Sequence, residues 1–315
     1  MRKSMEKQKQ KIFVAMLSVF SNSALIIAKL VVGILISSVS VISEAIHSGV
    51  DLLASIIALF AVKTSSQPAD REHAFGHGKF ENLSGVVEAL LIFVAAGWII
   101  FVSIKKLITP QPMEAVGWGV AVMLASSIVN IIVSQMLFKV GKETDSIALQ
   151  ADAWHLRTDV FTSAGVMGGL GLFWLGKILV PDVDLHWIDP VSALLVAILI
   201  LKAAYDLTKQ SLQGLLDESL PPDEENWIKE RIKLLYHKIY GFHNFRTRKA
   251  GSTRFVEFHV VVNPEMSVQD SHDLNDKIVT DIKHRFPDSK IMVHIEPCNN
   301  LCEPKCLDTC LIYNR

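Results

Sequence analysis

Residues 39–62, VSVISEAIHSGVDLLASIIALFAV, and residues 147–175, IALQADAWHLRTDVFTSAGVMGGLGLFWL, decide how this chain folds. Each run is long and apolar enough to cross a bilayer. Yet each holds a histidine followed four residues later by an aspartate: His47 with Asp51, and His155 with Asp159. Residues four apart on a helix project from one face, so each pair presents an imidazole beside a carboxylate. Two such helices facing each other make a four-ligand cage, and a tetrahedral set of two nitrogens and two oxygens suits zinc or a close relative. Ionisable groups in lipid are costly and mark function.

Outward from these two runs, the composition predicts a polytopic α-helical membrane protein. Half of the 315 residues are hydrophobic and mean hydropathy is +0.34, more apolar sequence than one soluble core needs, and the excess lies in the first two thirds. Six spans are expected, near residues 12–36, 39–62, 82–104, 114–138, 147–175 and 188–208. Net charge is −1, which predicts no nucleic-acid partner. The charged start, Met1 to Lys11, leads into an apolar run too long for a cleavable signal, so the first span is expected to stay. Arg2, Lys3, Lys7, Lys9, Lys11, Lys63, Arg71, Lys79, Lys139 and Lys142 would share one side of six crossings, against Lys105, Lys106 and Lys177 on the other. The positive-inside rule then places both termini and the histidine-bearing connection from Lys63 to Glu81 in the cytosol.

Counted along their spans, both histidine–aspartate pairs fall near the bilayer midplane. Asn22 and Asn130 read as polar groups that join packed helices. Glu44 and Asp152, each three residues before a site histidine, either orient the imidazoles or simply pack helices together. Lys29 and Arg157 either neutralise buried carboxylates or snorkel.

Beyond Leu207 the character changes. Charged and apolar residues alternate after a Pro221–Pro222 break, as in a soluble domain of about 90 residues. Periodicity predicts a helix from Asp223 to His237, strands Phe242–Lys249 and Thr253–Asn263 around a turn at Gly251, a helix from Asp270 to Phe286, and a strand Lys290–Ile295. This αββαβ order folds as an open ferredoxin-like sheet with helices on one face. The expected division is 1–209 for the six-helix membrane domain, 210–297 for the cytosolic domain and 298–315 for a cysteine-rich tail.

Several motifs now stand in order: HSGVD (47–51), HAFGHGK (73–79), WHLRTD (154–159), LLDESLP (215–221), FRTR (245–248), TRFVEFHV (253–260) and IMVHIEP (291–297). Over nearly the whole chain this set resembles the cation diffusion facilitator family of divalent-metal transporters, in its zinc-type bacterial form. The resemblance implies that His47, Asp51, His155 and Asp159 form the transport site, worked by alternating access. It implies a second site in the loop at Asp70, His73 and His77, and further metal in the cytosolic domain at His243, His259, His272, His294 and Glu296, near a homodimer contact. Relatives hold an aspartate at the Glu296 position, so the longer glutamate alters that coordination. Lys79 and Asp217 match a charged pair that links helix ends near the subunit contact. A histidine at position 47 leans to zinc and away from manganese, with iron, cobalt and cadmium as alternatives.

One feature lies outside the resemblance. All four cysteines, Cys298, Cys302, Cys306 and Cys310, fall at a spacing of four in the last segment, where Pro304 breaks any single helix. Cytosolic thiols are not expected to pair as disulfides, which leaves a soft-metal site for zinc or copper, a redox sensor or a plain tail. Function follows from charge: a cage that neutralises a divalent ion takes up protons when the metal leaves, so efflux of zinc in exchange for protons is expected, through a bacterial inner membrane. A membrane metalloenzyme would need an open metal position and a base, as in HExxH, and the chain has no such motif. A membrane metal sensor or scaffold would need no intramembrane cage.

Overall fold

The computed structural model describes residues 2–35, 39–109, 118–179, 187–299 and 310. Six long helices come first: α1 (Arg2–Leu35), α2 (Val39–Ser65), α3 (Lys79–Ile108), α4 (Trp118–Glu143), α5 (Ile147–Leu179) and α6 (Ile188–Leu215). Among the described residues, five of them carry a stretch apolar enough to cross a membrane. The fifth, outside that group, has Asp152, Arg157 and Asp159 in its first half.

The chain divides into two compact units, Met5–Leu212 and Gln213–Arg315 with the first four residues. In the helical unit α5 is the hub. Ala148, Leu149, Ala153 and Leu156 pack against Val14 and Ala15 of α1, Ala61 and Val62 of α2, and Val133 and Leu137 of α4. Ala151, on another side, packs with Ala89, Ile92 and Ala96 of α3 and with Ile200, Ala204 and Leu207 of α6. Alanines at these contacts let helix backbones approach closely, which is how helices associate where lipid removes the hydrophobic driving force. Large apolar side chains point outward: Phe20, Ile27, Val94, Leu195 and Ile198 are each more than half exposed. An apolar exterior of this extent is stable against lipid and not against water.

The second unit runs α7 (Pro222–Lys233), β1 (Gly241–Ala250), β2 (Thr253–Val262), α8 (Val268–Arg285) and β3 (Lys290–Pro297). β1 pairs antiparallel with β2, and β2 pairs parallel with β3. The sheet follows the αββαβ expectation. Val256, Phe258, Val260 and Val262 alternate onto one face and meet Ile228 and Ile232 of α7 and Leu274, Ile278 and Ile282 of α8. Gly251 takes φ of +57°, which a two-residue hairpin turn requires.

Several element ends depart from expectation, three of them by more than a turn or for a clear local reason. α1 begins at Arg2, so the charged start is helical rather than a separate lead-in. α6 continues past 208 to Leu215. α7 stops at Lys233, not at His237, because the chain tightens into three-residue turns there: Leu235 N–H donates to Ile232 O at 3.0 Å and Lys238 N–H to Leu235 O at 2.8 Å.

Candidate metal centres

In the helical unit, donor atoms of Asp51, His155 and Asp159 lie within 4.8 Å of one another. Asp51 sits near the middle of α2, and the other two occupy one face of α5. His155 Nε2 is 3.2 Å from Asp51 Oδ1. Donors about 2.0–2.1 Å from a tetrahedral zinc are about 3.3–3.4 Å apart, so this spacing suits an ion between them. The carboxylates of Asp51 and Asp159 also line a cavity of about 610 Å³, whose wall includes Lys29, Trp98, Ser126, Asn130 and Thr162. The side chains of His47 and Glu44 lie outside the described residues.

Polar groups from three helices surround this cluster. Asn22 of α1 donates to Ser55 Oγ at 2.7 Å and to the Asp51 carbonyl at 3.4 Å, and Ser18 Oγ is 2.9 Å from Ser55 Oγ. Ser55 in turn donates to Asp152 Oδ1 at 3.0 Å. Asn22 thus joins α1 to α2, in keeping with its reading as a helix-packing group. Asn130 instead faces the cavity. Lys29 donates to Ser48 Oγ at 2.7 Å, and the Arg157 guanidinium lies over the Phe138 ring, 4.7 Å from its centre.

The second cluster is Asp70, His73 and His77, in the connection between α2 and α3. Asp70 Oδ1 accepts from the backbone N–H groups of His73 at 2.6 Å and Glu72 at 3.0 Å. The His73 amide, first among these causes, holds the Asp70 carboxyl below its usual range. Gly76 at φ +90° turns the chain back on itself, a conformation that favours glycine, so the His77 ring centre comes 4.4 Å from that of His73. His77 Nε2 then lies 3.3 Å from Asp70 Oδ2, and His73 Nδ1 3.5 Å from Asp70 Oδ1. His77 is buried, and its Nδ1 has no hydrogen-bond partner among the described residues.

The third cluster is on the sheet. His243, His259 and His294 stand side by side across β1, β2 and β3, on the face away from α7 and α8. Ring centres are 5.1 Å apart for His243 and His259, and 4.8 Å for His259 and His294. Glu296 reaches back along β3 to meet the row: 3.1 Å to His243 Nε2, 2.6 Å to His259 Nδ1 and 3.5 Å to His294 Nε2. A bulge in β1 makes this possible. The register slips by one residue between His243 and Arg246, with Asn244 at φ +49°, so His243 joins the histidine face while Phe245 packs into the core. His272 is elsewhere, on α8 with Nε2 3.6 Å from Asp276, because α8 packs on the opposite face of the sheet. Asp217 pairs with Arg248 at 3.3 Å, whereas Lys79 begins α3 in the helical unit.

At the chain end, the Cys298 N–H donates to the Val262 carbonyl at 2.9 Å and Cys310 bridges Gly241 of β1. Cys302 and Cys306 lie outside the described residues.

Buried charged groups of α3 escaped the sequence reading, among them Glu81 and Glu88. Glu81 accepts from Lys11 Nζ at 2.6 Å, from Ser65 Oγ at 2.8 Å and from Ser146 Oγ, which ties α1, the end of α2, the start of α3 and the residue before α5 into one polar knot. Lys11 counts in the sequence only as a positive charge near a span end. Its position directly before the first apolar residue of the span was the available signal.

These features define a multi-pass membrane protein equipped to handle metal ions. The family model for the cation efflux transmembrane domain matches residues 15–216, and that for the cation efflux protein cytoplasmic domain matches residues 220–298. The transporter sll1263 of Synechocystis sp. is 36% identical over 90% of this chain and 89% of its own length. The cation-efflux pump FieF of Salmonella paratyphi A is 34% identical over 88% of this chain and 89% of its own. A metal-bound C-terminal domain of the CzcD transporter from Thermotoga maritima is 27% identical, covering 26% of this chain and all of that one, with a TM-score of 0.23. The chain belongs to the cation efflux, or cation diffusion facilitator, family. It is therefore a transporter and not an enzyme.

Proposed function

We propose that this protein exports divalent metal ions, zinc foremost, from the cytosol in exchange for protons by alternating access. The observation that carries this reading is the Asp51–His155–Asp159 cluster between α2 and α5, beside a cavity. His47, one turn before Asp51, supplies the fourth ligand. Two carboxylates and two neutral imidazoles balance a divalent ion, and the same groups take up protons once it leaves. Mixed nitrogen and oxygen donors favour zinc over manganese, with iron, cobalt and cadmium as alternative cargo. An intramembrane cage beside a cavity also favours transport over a sensor or scaffold. The efflux direction is supported by the relative named a cation-efflux pump.

In this reading both termini face the cytosol of a bacterial inner membrane, and the chain divides at 209/210 and 297/298 into transport domain, cytosolic domain and tail. Two copies form a homodimer, with Lys79 and Asp217 as a charged link near the contact. Asp70, His73 and His77 hold a loop ion. His243, His259, His294 and Glu296 hold regulatory metal. The cysteine tail binds soft metal. Zinc uptake into inverted vesicles tests the core of the proposal: Asp159→Ala is expected to abolish it, and undiminished flux would remove the assignment. Equal acceleration of proton flux by manganese and zinc in proteoliposomes would overturn the choice of metal.

A further inference from the structure

Next to the metal cluster, α3 and α5 bring two more carboxyls into the helical interior. Glu88 and Asp152 are both fully buried and within electrostatic reach of each other. Ser84, one turn before Glu88, donates to Glu88 Oε1 at 3.1 Å. Glu88 Oε2 and Asp152 Oδ2 have no hydrogen-bond partner among the described residues. Next to Glu88 in sequence, Ala89 and Ile92 of α3 pack against Ile200, Ala204 and Leu207 of α6. From α5 the charged group that faces Glu88 is Asp152, and past it lie Asp51 of α2 and His155. Among the described residues no lysine, arginine or histidine pairs with either carboxyl.

Two ionised carboxylates within electrostatic reach of each other, each with an oxygen that has no hydrogen-bond partner among the described residues, are disfavoured in an apolar interior. A proton on Glu88 cancels one of the two charges. The pair is also wired to the metal cluster, since Ser55 joins Asp152 to the Asp51 turn of α2. We propose that Glu88 is a proton-binding site of the transporter, protonated when the cluster is empty and ionised when metal enters. Two positive charges arriving at Asp51, His155 and Asp159 favour ionised carboxylates nearby, so Glu88 releases H⁺ as the ion binds. This proposal rests on the exchange reading above and adds a proton carrier that is not a metal ligand.

Zinc titrations of the full-length protein in micelles, in buffers of different ionisation enthalpy, count protons released per zinc. Glu88→Gln, which cannot ionise, is expected to bind zinc about tenfold or more weakly near neutral pH, with a pH dependence shallower by about one proton, and to release about one proton fewer per zinc, and Glu88→Asp to restore both. Equal, non-zero proton counts in wild type and Glu88→Gln would overturn this proposal while leaving exchange intact. Zinc affinity equal to that of the wild type in Glu88→Gln at every pH would overturn it too, because a group that releases a proton on zinc binding cannot be neutralised without lowering affinity. No proton release from the wild type would remove the exchange reading itself, and this proposal with it. If Glu88→Gln does not fold, the infrared difference spectrum of the wild type on zinc addition decides. Loss of a protonated-carboxyl band supports the proposal, and an unchanged carboxyl region overturns it.

Discussion

Asp51 and His155 are more than a hundred residues apart in sequence and 3.2 Å apart in space, and that one distance turns two helix-face patterns into a shared donor set. The same scale explains what local patterns conceal. Lys11 and Glu81 form a nearly solvent-free ion pair at 2.6 Å, with 5% and 1% of their side chains exposed. Removing one partner strands the other charge, so Glu81→Ala is expected to destabilise the helical unit by about 3–5 kcal/mol. A fall in the thermal unfolding temperature of the detergent-solubilised protein measures this. Seventy residues separate the two groups, so no local periodicity could have joined them.

Asp70 supports a second residue-scale prediction. Its carboxyl pKa is depressed below 3.8, chiefly by the His73 amide. A depressed folded-state value means that the turn is stabilised above the unfolded pKa, and that the stabilisation disappears only as pH falls through the lower folded value. Rate-corrected amide protection at Glu72 and His73 should therefore be the same at about pH 8 and about pH 5, and be lost only below the ordinary carboxylate range. Loss of protection already near neutral pH would contradict this.

At the element scale, close helix approach is set by small residues. A Cβ on Gly85 of α3 would stand 2.3 Å from Ser211 Oγ of α6 and 2.9 Å from Ile147 Cγ2 of α5. Gly85→Ala is expected to push these helices apart at a cost of about 1–3 kcal/mol, visible as lower thermal stability. In the other unit, Ser267 caps α8 by accepting from the Asp270 N–H at 3.1 Å. Ser267→Ala should weaken α8 by about 1 kcal/mol, read from faster amide exchange in its first turn, and Ser267→Asp should not. The helices and strands themselves were legible, because hydrophobic runs and alternation are properties of neighbouring residues. The β1 bulge was not, since it exists only relative to β2, and without it Phe245 and His243 could not both occupy their observed faces.

At the scale of the whole molecule, metal binding and folding stability are linked. If the sheet cluster binds zinc, the cytosolic unit gains about 2.7 kcal/mol at a hundredfold excess over Kd, and His259→Ala, which removes the middle of the row, should abolish the zinc-dependent rise in its unfolding temperature. An equal rise in the variant would mean that the ion binds elsewhere. What the sequence alone determined is the class of molecule: long apolar runs, histidine–aspartate pairs at helical spacing and an alternating C-terminal segment follow from the order of residues along the chain. Only the tertiary structure decided which of the candidate ligands meet. It brings Asp70, His73 and His77 together through a turn at Gly76, and it sets Glu296 against three histidines by strand register. It keeps His272 on the far side of the sheet and buries Glu81 and Glu88 among helices distant in sequence. Distances between donors on different elements depend on register and packing, and these are properties of the folded chain as a whole.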